Sequence, residues 1–458
     1  MIDAWTVAIE ALSWVELRRM NEDSALSRAI NQLEAEDRDA VDEAKRLVFD
    51  VLKRRNTLDY LIDQALAPDD LRHLDVGVRS FLRLYTYMIH YGGSSLQQVN
   101  ALAEHVRALL GPKSLRPAEE AIEIIPHERL PWDTFTPTER LAYRHFHPVW
   151  YVEYLQGCFD DQKVVEIIEP VEAPKYVRVN TLKADEGALD DLYSLGFQFA
   201  EVPGLRYTYQ ALDSPEGLAD TAPYREGMLI LQDKASVLVG EVASPKPTDL
   251  VLDVCAAPGV KTSHMAQLMG NRGRIISVDY DERRLDSWRR LTEKMGVTNA
   301  EPVLADAAKP GELPDETADI VLLDPPCTGT GTFNESPSGK WRINRNSIRR
   351  MAHLQGRLLA NSAAHVAEGG ALIYSTCSVT VEENEAVITE FLDRHPSFAL
   401  EEATPRIGEP GLERMTEAQR LYPSPHGCQG FFVAKLVKNV ERRKIRHAGE
   451  TIPTRQTP

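Results

Sequence analysis

Several features that would define other classes of protein are missing from this sequence. Its five cysteines are an odd number, and their wide spacing matches neither a zinc site nor a disulfide framework. Neither the phosphate-loop pattern nor Gly-x-Gly-x-x-Gly occurs, which argues against a polyphosphate site. No stretch is long and apolar enough to span a bilayer, and residues 1–20 lack the apolar run of a secretion signal. We therefore expect a reducing, cytoplasmic compartment, no bound metal and no membrane contact.

Positive charge is also scarce, because the formal net charge is −17. Taken alone, that value argues against broad electrostatic binding of nucleic acid. One segment differs, since it carries five cations and no acid: Lys340, Arg342, Arg345, Arg349 and Arg350. It forms either a local basic groove, in which Trp341 could stack on a base, or an ordinary solvated helix face. The sequence leaves both interpretations open.

The first half of the chain changes character once. Residues 1–127 are predicted to be all-helical, because apolar side chains recur with a helical period. One helix, at about residues 96–110, should end at Gly111-Pro112. Residues 128–235 contain strand-like segments at 176–181 and 228–231, which predict a small α+β subdomain.

In residues 236–438 short apolar strands alternate with helical stretches, which predicts an α/β fold with a parallel sheet. The strands are predicted at residues 250–254, 274–278, 302–304, 319–323 and 370–373. Ligands of such sheets lie beyond the carboxyl ends of the strands, where the motifs of this region also lie. Residues 439–458 form a basic tail that we expect to be disordered.

A loop of small residues follows the first of these strands: Cys255-Ala256-Ala257-Pro258-Gly259-Val260-Lys261. Small residues allow close approach of a ligand, and the helix that follows offers free amides to an anion. Asp279 closes the second strand, where an acid can accept hydrogen bonds from ribose hydroxyls. Asp306 closes the third and could accept from an adenine amino group. Each acid alone is better explained as a helix cap or loop residue, but acids at successive strand ends beside a loop of small residues shift that balance toward a nucleoside or amino-acid ligand.

Two cysteines follow the remaining strands. Cys327 belongs to Asp324-Pro325-Pro326-Cys327, and Cys377 belongs to Ser375-Thr376-Cys377-Ser378. A thiolate that adds to C6 of cytosine makes C5 nucleophilic enough to accept a methyl group, and a second thiol could help the adduct break down. Asp324 would hydrogen-bond the pyrimidine edge. Spacing alone does not decide which thiol attacks.

With these motifs the chain resembles, over about residues 146–438, the Sun/RsmB-type family of RNA cytosine-5 methyltransferases. Residues 1–127 resemble, more loosely, the NusB-type RNA-binding domain of bacterial members. The resemblance implies a class I (Rossmann-like) methyltransferase domain preceded by a small α+β subdomain and an all-helical NusB-like domain. It also favours ribosomal RNA over transfer RNA as the partner.

The resemblance further implies a role for each matching residue. S-adenosylmethionine would lie on residues 255–261, with Asp279 on its ribose, Asp306 near its adenine and Asp324 nearby. Cys377 would attack C6, Cys327 would assist release of the product, and Asp324 and Lys261 would complete the catalytic group. The residues expected to contact RNA are Arg178 and Asn180 of the RNA-handling subdomain, together with Lys340, Arg342 and Arg345.

One residue departs from the family pattern, because Val260 stands where a second glycine is usual. A β-branched residue tolerates positive φ poorly, so either the backbone there is ordinary or the loop is displaced. The leading hypothesis is a monomeric ribosomal-RNA enzyme. The alternatives are a transfer-RNA cytosine-5 enzyme, a non-catalytic RNA-binding assembly factor, and a transferase that acts on an exocyclic amine or a protein.

Overall fold

The computed structural model describes residues 3–172, 174–213 and 217–439. Apart from residue 439, the predicted basic tail lies outside the described residues. Within those ranges no helix is long and apolar enough to cross a membrane, and no cluster of His, Cys, Asp or Glu could hold a metal ion. The chain begins with helices only: α1 Ala4–Arg18, α2 Glu22–Leu33, α3 Arg38–Lys53, α4 Arg55–Leu66, α5 Val76–His90, α6 Leu96–Leu110, α7 Pro112–Leu115 and α8 Glu119–Ile124.

Local chemistry sets the ends of these helices. Asp3 caps α1 by accepting a hydrogen bond from the Thr6 amide, and Ser95 caps α6 in a capping box with Gln98. Gly111, with φ of 79°, ends α6 where the sequence predicted. The apolar faces meet in one core that extends from α1 to α8. The all-helical fold predicted for this part is confirmed, while the domain limits stay predictions.

The next part joins short helices to a small antiparallel sheet. Its helices are α9 Pro137–Arg144, α10 Val149–Gln156, α11 Asp161–Ile168, α12 Asp190–Ser194 and α13 Ala222–Arg225. Its strands are β1 Tyr176–Val179, β2 Gln198–Glu201, β3 Thr208–Asp213 and β4 Leu229–Leu231, in the order β2-β3-β1-β4. The two predicted strands correspond to β1 and β4, so the α+β character is confirmed.

The last part is a large sheet with helices on both faces. Its helices are α14 Lys234–Ala243, α15 Val260–Met269, α16 Glu282–Lys294, α17 Gly339–Arg342, α18 Arg345–Ala363, α19 Glu385–Arg394 and α20 Pro423–His426. Its strands are β5 Leu250–Val254, β6 Arg274–Asp279, β7 Ala300–Leu304, β8 Ala318–Leu323, β9 Val366–Thr376, β10 Phe398–Glu401, β11 Glu409–Pro410, β12 Gln419–Leu421 and β13 Phe431–Lys438. The order is β11-β12-β13-β9-β8-β5-β6-β7, and β10 also pairs with β13.

The sheet is mixed, and the parallel arrangement predicted for its five strands β5 to β9 is confirmed. Strands β5 to β9 pair in parallel, but β13 runs antiparallel to β9 and carries β10 and β12 along its other side. A strand buried on both faces is an almost continuous apolar run, and such a run does not reveal its direction. The parallel part keeps the predicted carboxyl edge, where the motifs collect.

Candidate active site

Two turns bring the cysteines to this edge. Strands β8 and β9 are parallel neighbours in which Leu323 pairs with Tyr374. The Cys327 turn (residues 324–331) and the Cys377 turn (residues 377–383) therefore leave the sheet side by side. Cys327 Sγ lies 3.2 Å from Cys377 Sγ. That distance is a hydrogen-bond contact, since a disulfide would need about 2.05 Å.

The two thiols are not equivalent. The pKa of Cys327 is raised well above its usual value, first by its hydrogen bond with Cys377 and then by burial. Either sulfur could donate in this contact, and the raised pKa favours Cys327 as the donor. Lys261 lies close by and is half-buried; although burial alone would lower its pKa, Asp324 and, to a smaller extent, Cys377 raise it. A cation therefore lies beside the two thiols.

Asp324 is held from both sides. Its Oδ2 accepts a hydrogen bond from Lys261 Nζ at 2.6 Å, and its Oδ1 accepts from Ser375 Oγ at 2.7 Å. Its side chain keeps 30% of its surface exposed. The carboxylate is thus fixed in position and still reachable from the edge, as an acceptor for a base must be.

A buried carboxylate that the sequence analysis did not identify connects the two turns. Glu383 is 0% exposed. Five donors surround it: Thr328 N at 2.8 Å, Thr328 Oγ1 at 2.5 Å, Ser378 Oγ at 2.7 Å, Thr380 Oγ1 at 2.8 Å and Gln355 Nε2 at 3.0 Å. Thr328 follows Cys327 and Ser378 follows Cys377, so one side chain fixes the residue after each thiol. A buried charge is tolerated only when its lone pairs are satisfied in this way.

The loop of small residues joins β5 to α15. Gly259 has φ of 104°, and a Cβ added there would lie 3.0 Å from Trp288 Cδ1. Glycine is therefore required at this position for its backbone and for the space it leaves. Val260 is the first residue of α15 and has helical backbone, so of the two predicted alternatives the ordinary backbone is correct. Burial raises the pKa of Cys255, which makes it an unreactive thiol of the loop.

Asp279 lies at the end of β6, as predicted, and already has partners. Its carboxylate accepts from the Ala257 amide at 3.2 Å and from Arg284 Nε at 3.0 Å. Arg284 also donates to the Ala257 carbonyl at 2.7 Å, so this arginine, which the sequence analysis missed, ties the loop to β6. The Asp281 amide is a third donor at 3.4 Å, and the side chain of Asp279 is only 1% exposed. A hydrogen bond from a ribose hydroxyl to Asp279 stays a prediction.

Large apolar side chains at this edge also escaped the sequence analysis. Tyr280 is 65% exposed and Leu304 is 56% exposed, and they follow β6 and end β7. The flat ring of a purine would cover such surfaces. Asp306 lies two residues beyond Leu304, and its carboxylate accepts from the Ala308 amide at 3.1 Å. Together with Asp279 and the loop, these residues fit the nucleoside of S-adenosylmethionine. The sequence feature that could have identified them is a bulky apolar residue close to an acid at the end of a strand.

Two residues predicted to contact RNA are buried instead. Arg178 and Asn180 are each 0% exposed. The guanidinium of Arg178 donates to three side chains: Gln232, Gln267 and Ser263. Asn180 donates to the carbonyls of Gly227 and Met295, at 2.8 Å each. The prediction is wrong for both, because their hydrogen bonds join the α+β subdomain to the large domain.

The first half of the basic segment is also structural. Lys340 is 1% exposed and donates to the Phe146 carbonyl at 3.1 Å. Trp341 donates to the Leu52 carbonyl, in α3, at 2.7 Å. The predicted RNA contact of Lys340 is therefore wrong, since its side chain joins the large domain to residue 146, just before α10. Trp341 joins the large domain to the helical domain but is only half-buried, so its stacking on a base stays a prediction.

The second half of the segment lies at the surface. Arg342 marks the transition, because it is half-buried and its carbonyl accepts from Arg19 at 2.7 Å. Arg345 is exposed, and its nearest acid, Glu153, is 3.7 Å away. RNA contacts of Arg342 and Arg345 stay predictions.

Methylation at a pyrimidine carbon uses a thiol that adds to the ring, and methylation of an amine needs none. On this sheet, next to a nucleoside-sized edge, the pair of thiols indicates a class I methyltransferase whose substrate is a base. The family model described as 16S rRNA methyltransferase RsmB/F matches residues 241–437, and the NusB family model matches residues 3–99. The chain belongs to the RsmB/F family of RNA (cytosine-5)-methyltransferases.

Individual relatives agree over most of the chain. The probable ribosomal RNA small subunit methyltransferase B of Bacillus subtilis (strain 168) is 29% identical over 451 residues, which are 94% of this chain and 98% of that protein. The ribosomal RNA small subunit methyltransferase B of Enterobacter sp. (strain 638) is 32% identical over 64% of this chain and 67% of its own length. The crystal structure of PH0851 has 28% identity and a TM-score of 0.82, and the match covers 96% of this chain and 99% of that chain.

Proposed function

We propose that this protein methylates C5 of a cytosine in ribosomal RNA through a covalent adduct between Cys377 and C6 of the base. The observation that carries the proposal is the 3.2 Å contact between Cys377 and Cys327 beside the ion pair of Lys261 with Asp324, and the raised pKa of Cys327 supports it. S-adenosylmethionine would bind on residues 255–261, Asp279 and Asp306 and would supply an electrophilic methyl group.

The side chains divide the work of the reaction. The Cys377 thiolate, stabilised by Lys261, adds to C6, and the electron pair moves toward C5, which takes the methyl group. Asp324 accepts a hydrogen bond from the base edge and favours a proton on N3, so that the ring does not build up full negative charge. Bond formation at Cys377 removes the hydrogen bond that raised the pKa of Cys327. Cys327 can then lose its proton and act as a base.

Release of the methylated base follows from the deprotonation of Cys327. Cys327 removes the proton from C5, the double bond between C5 and C6 forms again, and the Cys377 thiolate leaves. General base catalysis of this kind contributes roughly a hundredfold or more to a rate. Each thiol is therefore needed at a different step.

The choice of ribosomal RNA is supported by the helical domain. That domain matches the NusB family model over residues 3–99 and is attached to the large domain through Trp341. The names of the two curated relatives support RNA of the small ribosomal subunit. A monomeric state and a cytoplasmic location stay predictions from the sequence.

Bisulfite sequencing of ribosomal and transfer RNA from cells with and without the gene tests the proposal. We expect one cytosine of ribosomal RNA to lose its protection when the gene is deleted. Loss at a transfer-RNA position instead would make the protein a transfer-RNA enzyme. An unchanged pattern, together with no heat of S-adenosylmethionine binding in calorimetry, would indicate a non-catalytic assembly factor.

A further inference from the structure

The acid-free stretch of the chain is longer than the basic segment first noted. No aspartate or glutamate occurs between Glu335 and Glu368, although acids outnumber Lys and Arg by 69 to 52 over the whole chain. The cations of this stretch that remain at the surface lie on α18: Arg345, Arg349, Arg350 and Arg357. A long positively charged helix face on an acidic protein indicates a surface for a polyanion.

A groove runs between α18 and α19, with a volume of about 500 Å³. Small side chains form its floor: Ala352, Gly356 and Ala360 from α18 and Ala386 from α19. A Cβ built on Gly356 would have no atom within 4 Å, so the space above it is open. Long polar side chains form its rim: Arg349, His353 and Arg357 from α18, and Arg394 and His395 from the end of α19 and just beyond it.

The cations on the α18 side have no ionic partner. Arg349 and Arg357 are exposed, and within the described ranges neither forms an ion pair or hydrogen bond through its side chain. They are eight positions apart on one helix face, or about 12 Å along the axis. Repeating phosphates can satisfy two such charges at once.

The acids of the groove are already engaged. Glu382 accepts a hydrogen bond from the Tyr154 hydroxyl, and Glu390 pairs with Arg394 at 2.6 Å. Glu382 keeps its charge because a tyrosine hydroxyl is neutral, but Arg349 and Arg357 outnumber it, so the groove stays net positive.

The groove is connected to the thiols. On the buried face of α18, Gln355 donates to the Pro326 carbonyl, in the Cys327 turn, and to Glu383, both at 3.0 Å. Glu382 lines the groove and directly precedes Glu383. The groove thus starts behind the two turns and leads away from the edge of the sheet where a target base would be inserted.

We propose that the α18–α19 groove holds the phosphate backbone of the RNA strand next to the target cytosine, with Arg349 and Arg357 as the phosphate contacts. The inference rests on the proposed function, because it takes RNA as the substrate. The apolar floor and open width of the groove suit a single RNA strand, because the bases of the strand can lie on that floor.

The test compares three variants of the full-length protein. R349Q/R357Q removes the two charges. G356L fills the floor of the groove without changing its charge, and leucine has a higher helix propensity than glycine, so α18 should remain intact. R272Q/R414Q is the control, since it removes two exposed arginines outside the groove. The probe is a fluorescein-labelled single-stranded RNA of about 20 uridines and cytosines, long enough to span a typical site. Its Kd is measured by anisotropy at several salt concentrations.

We expect R349Q/R357Q to bind roughly tenfold more weakly at about 0.1 M salt and to lower the slope of log K against log salt by about 1.4, or 0.7 per phosphate contact. G356L should also bind more weakly but keep the slope, and the control should match wild type. S-adenosylmethionine affinity should not change in any variant.

If both groove variants bound RNA with wild-type affinity and wild-type salt dependence, the proposal would be overturned. The groove would then be assigned to a protein partner instead. An equal loss in the control would overturn it as well, because the effect would then be one of net charge. If wild type binds and methylates no RNA at all, the proposed function fails, and that result is distinct from either of these.

Discussion

The two thiol turns differ in how the fold holds them. Cys377 directly follows β9, whose last residue Thr376 pairs with Phe432 of β13, so the sheet fixes its position. Cys327 lies four residues beyond the end of β8, and side-chain contacts of its neighbours hold its turn. The Lys261 cation lies near Cys377, whereas the pKa of Cys327 is raised by its contact with Cys377 and by burial. These differences support the proposed division, in which Cys377 attacks and Cys327 assists release, and which spacing in the sequence could not decide.

The largest effect is expected from Cys377→Ala. Without the nucleophile, methyl transfer should fall by at least about a thousandfold, as for other enzymes that lose a covalent catalyst. Transfer of a tritiated methyl group to RNA in a single turnover measures it. Cys158→Ala removes another half-buried thiol, which reaches the Cys377 turn through Tyr154 and not directly, and should keep wild-type activity. If the activity of C377A stayed within about tenfold of wild type, Cys377 would not be the attacking thiol.

Cys327→Ala should act on turnover rather than on transfer. We expect a burst of one methyl group per enzyme, followed by steady-state turnover that is slower by roughly a hundredfold, because a general base is missing. Rapid-quench measurements over a range of enzyme concentrations give the burst amplitude. A linear time course at the wild-type rate would show that Cys327 has no part in release.

Glu383→Gln tests whether one carboxylate positions both turns. The amide keeps the size of the side chain but replaces an acceptor with a donor that faces other donors. We expect kcat to fall by about tenfold to a hundredfold, with little change in the affinity for S-adenosylmethionine. The control is E368Q, the same change at an exposed residue near the opposite end of β9. If E383Q weakens only cofactor binding, or behaves like E368Q, the turns are positioned by other contacts.

The smallest effect concerns the charge state of Cys327. Its raised pKa means that the thiol is protonated at neutral pH and reacts with iodoacetamide only as the pH rises. Removing Cys377 removes the first cause of that shift, so in C377A the alkylation midpoint of Cys327 should move to lower pH. Mass spectrometry of the peptide between about pH 6 and pH 11 follows the titration. A midpoint that stays unchanged or rises would contradict the assigned hydrogen bond.

The sequence was sufficient to predict which motifs lie at the carboxyl edge of the parallel strands. Strand periodicity and the motifs after β5, β6, β8 and β9 predicted which residues would collect there, because parallel strands share a carboxyl end. The helical domain was predictable from its period and its stop at Gly111. Neither prediction required knowledge of contacts between distant segments.

Residues whose role depends on such contacts were not predictable. Arg178 and Lys340 are cations that the fold covers with partners far along the chain, and charge alone does not distinguish them from the exposed Arg349 and Arg357. Glu383 acts through hydroxyl groups of two separate turns, so no local pattern marks it. Strand β13 was not among the predicted strands, since a strand buried on both faces shows no alternation.

The division of labour between the thiols is tested most directly by trapping the covalent adduct. C327A is incubated with RNA and S-adenosylmethionine and run on a denaturing gel beside C377A and the double variant. We predict an RNA–protein band that resists denaturation in C327A and is absent from C377A and from C327A/C377A. A stable adduct in C377A, or one that persists in the double variant, would contradict the assignment of Cys377 as the attacking thiol.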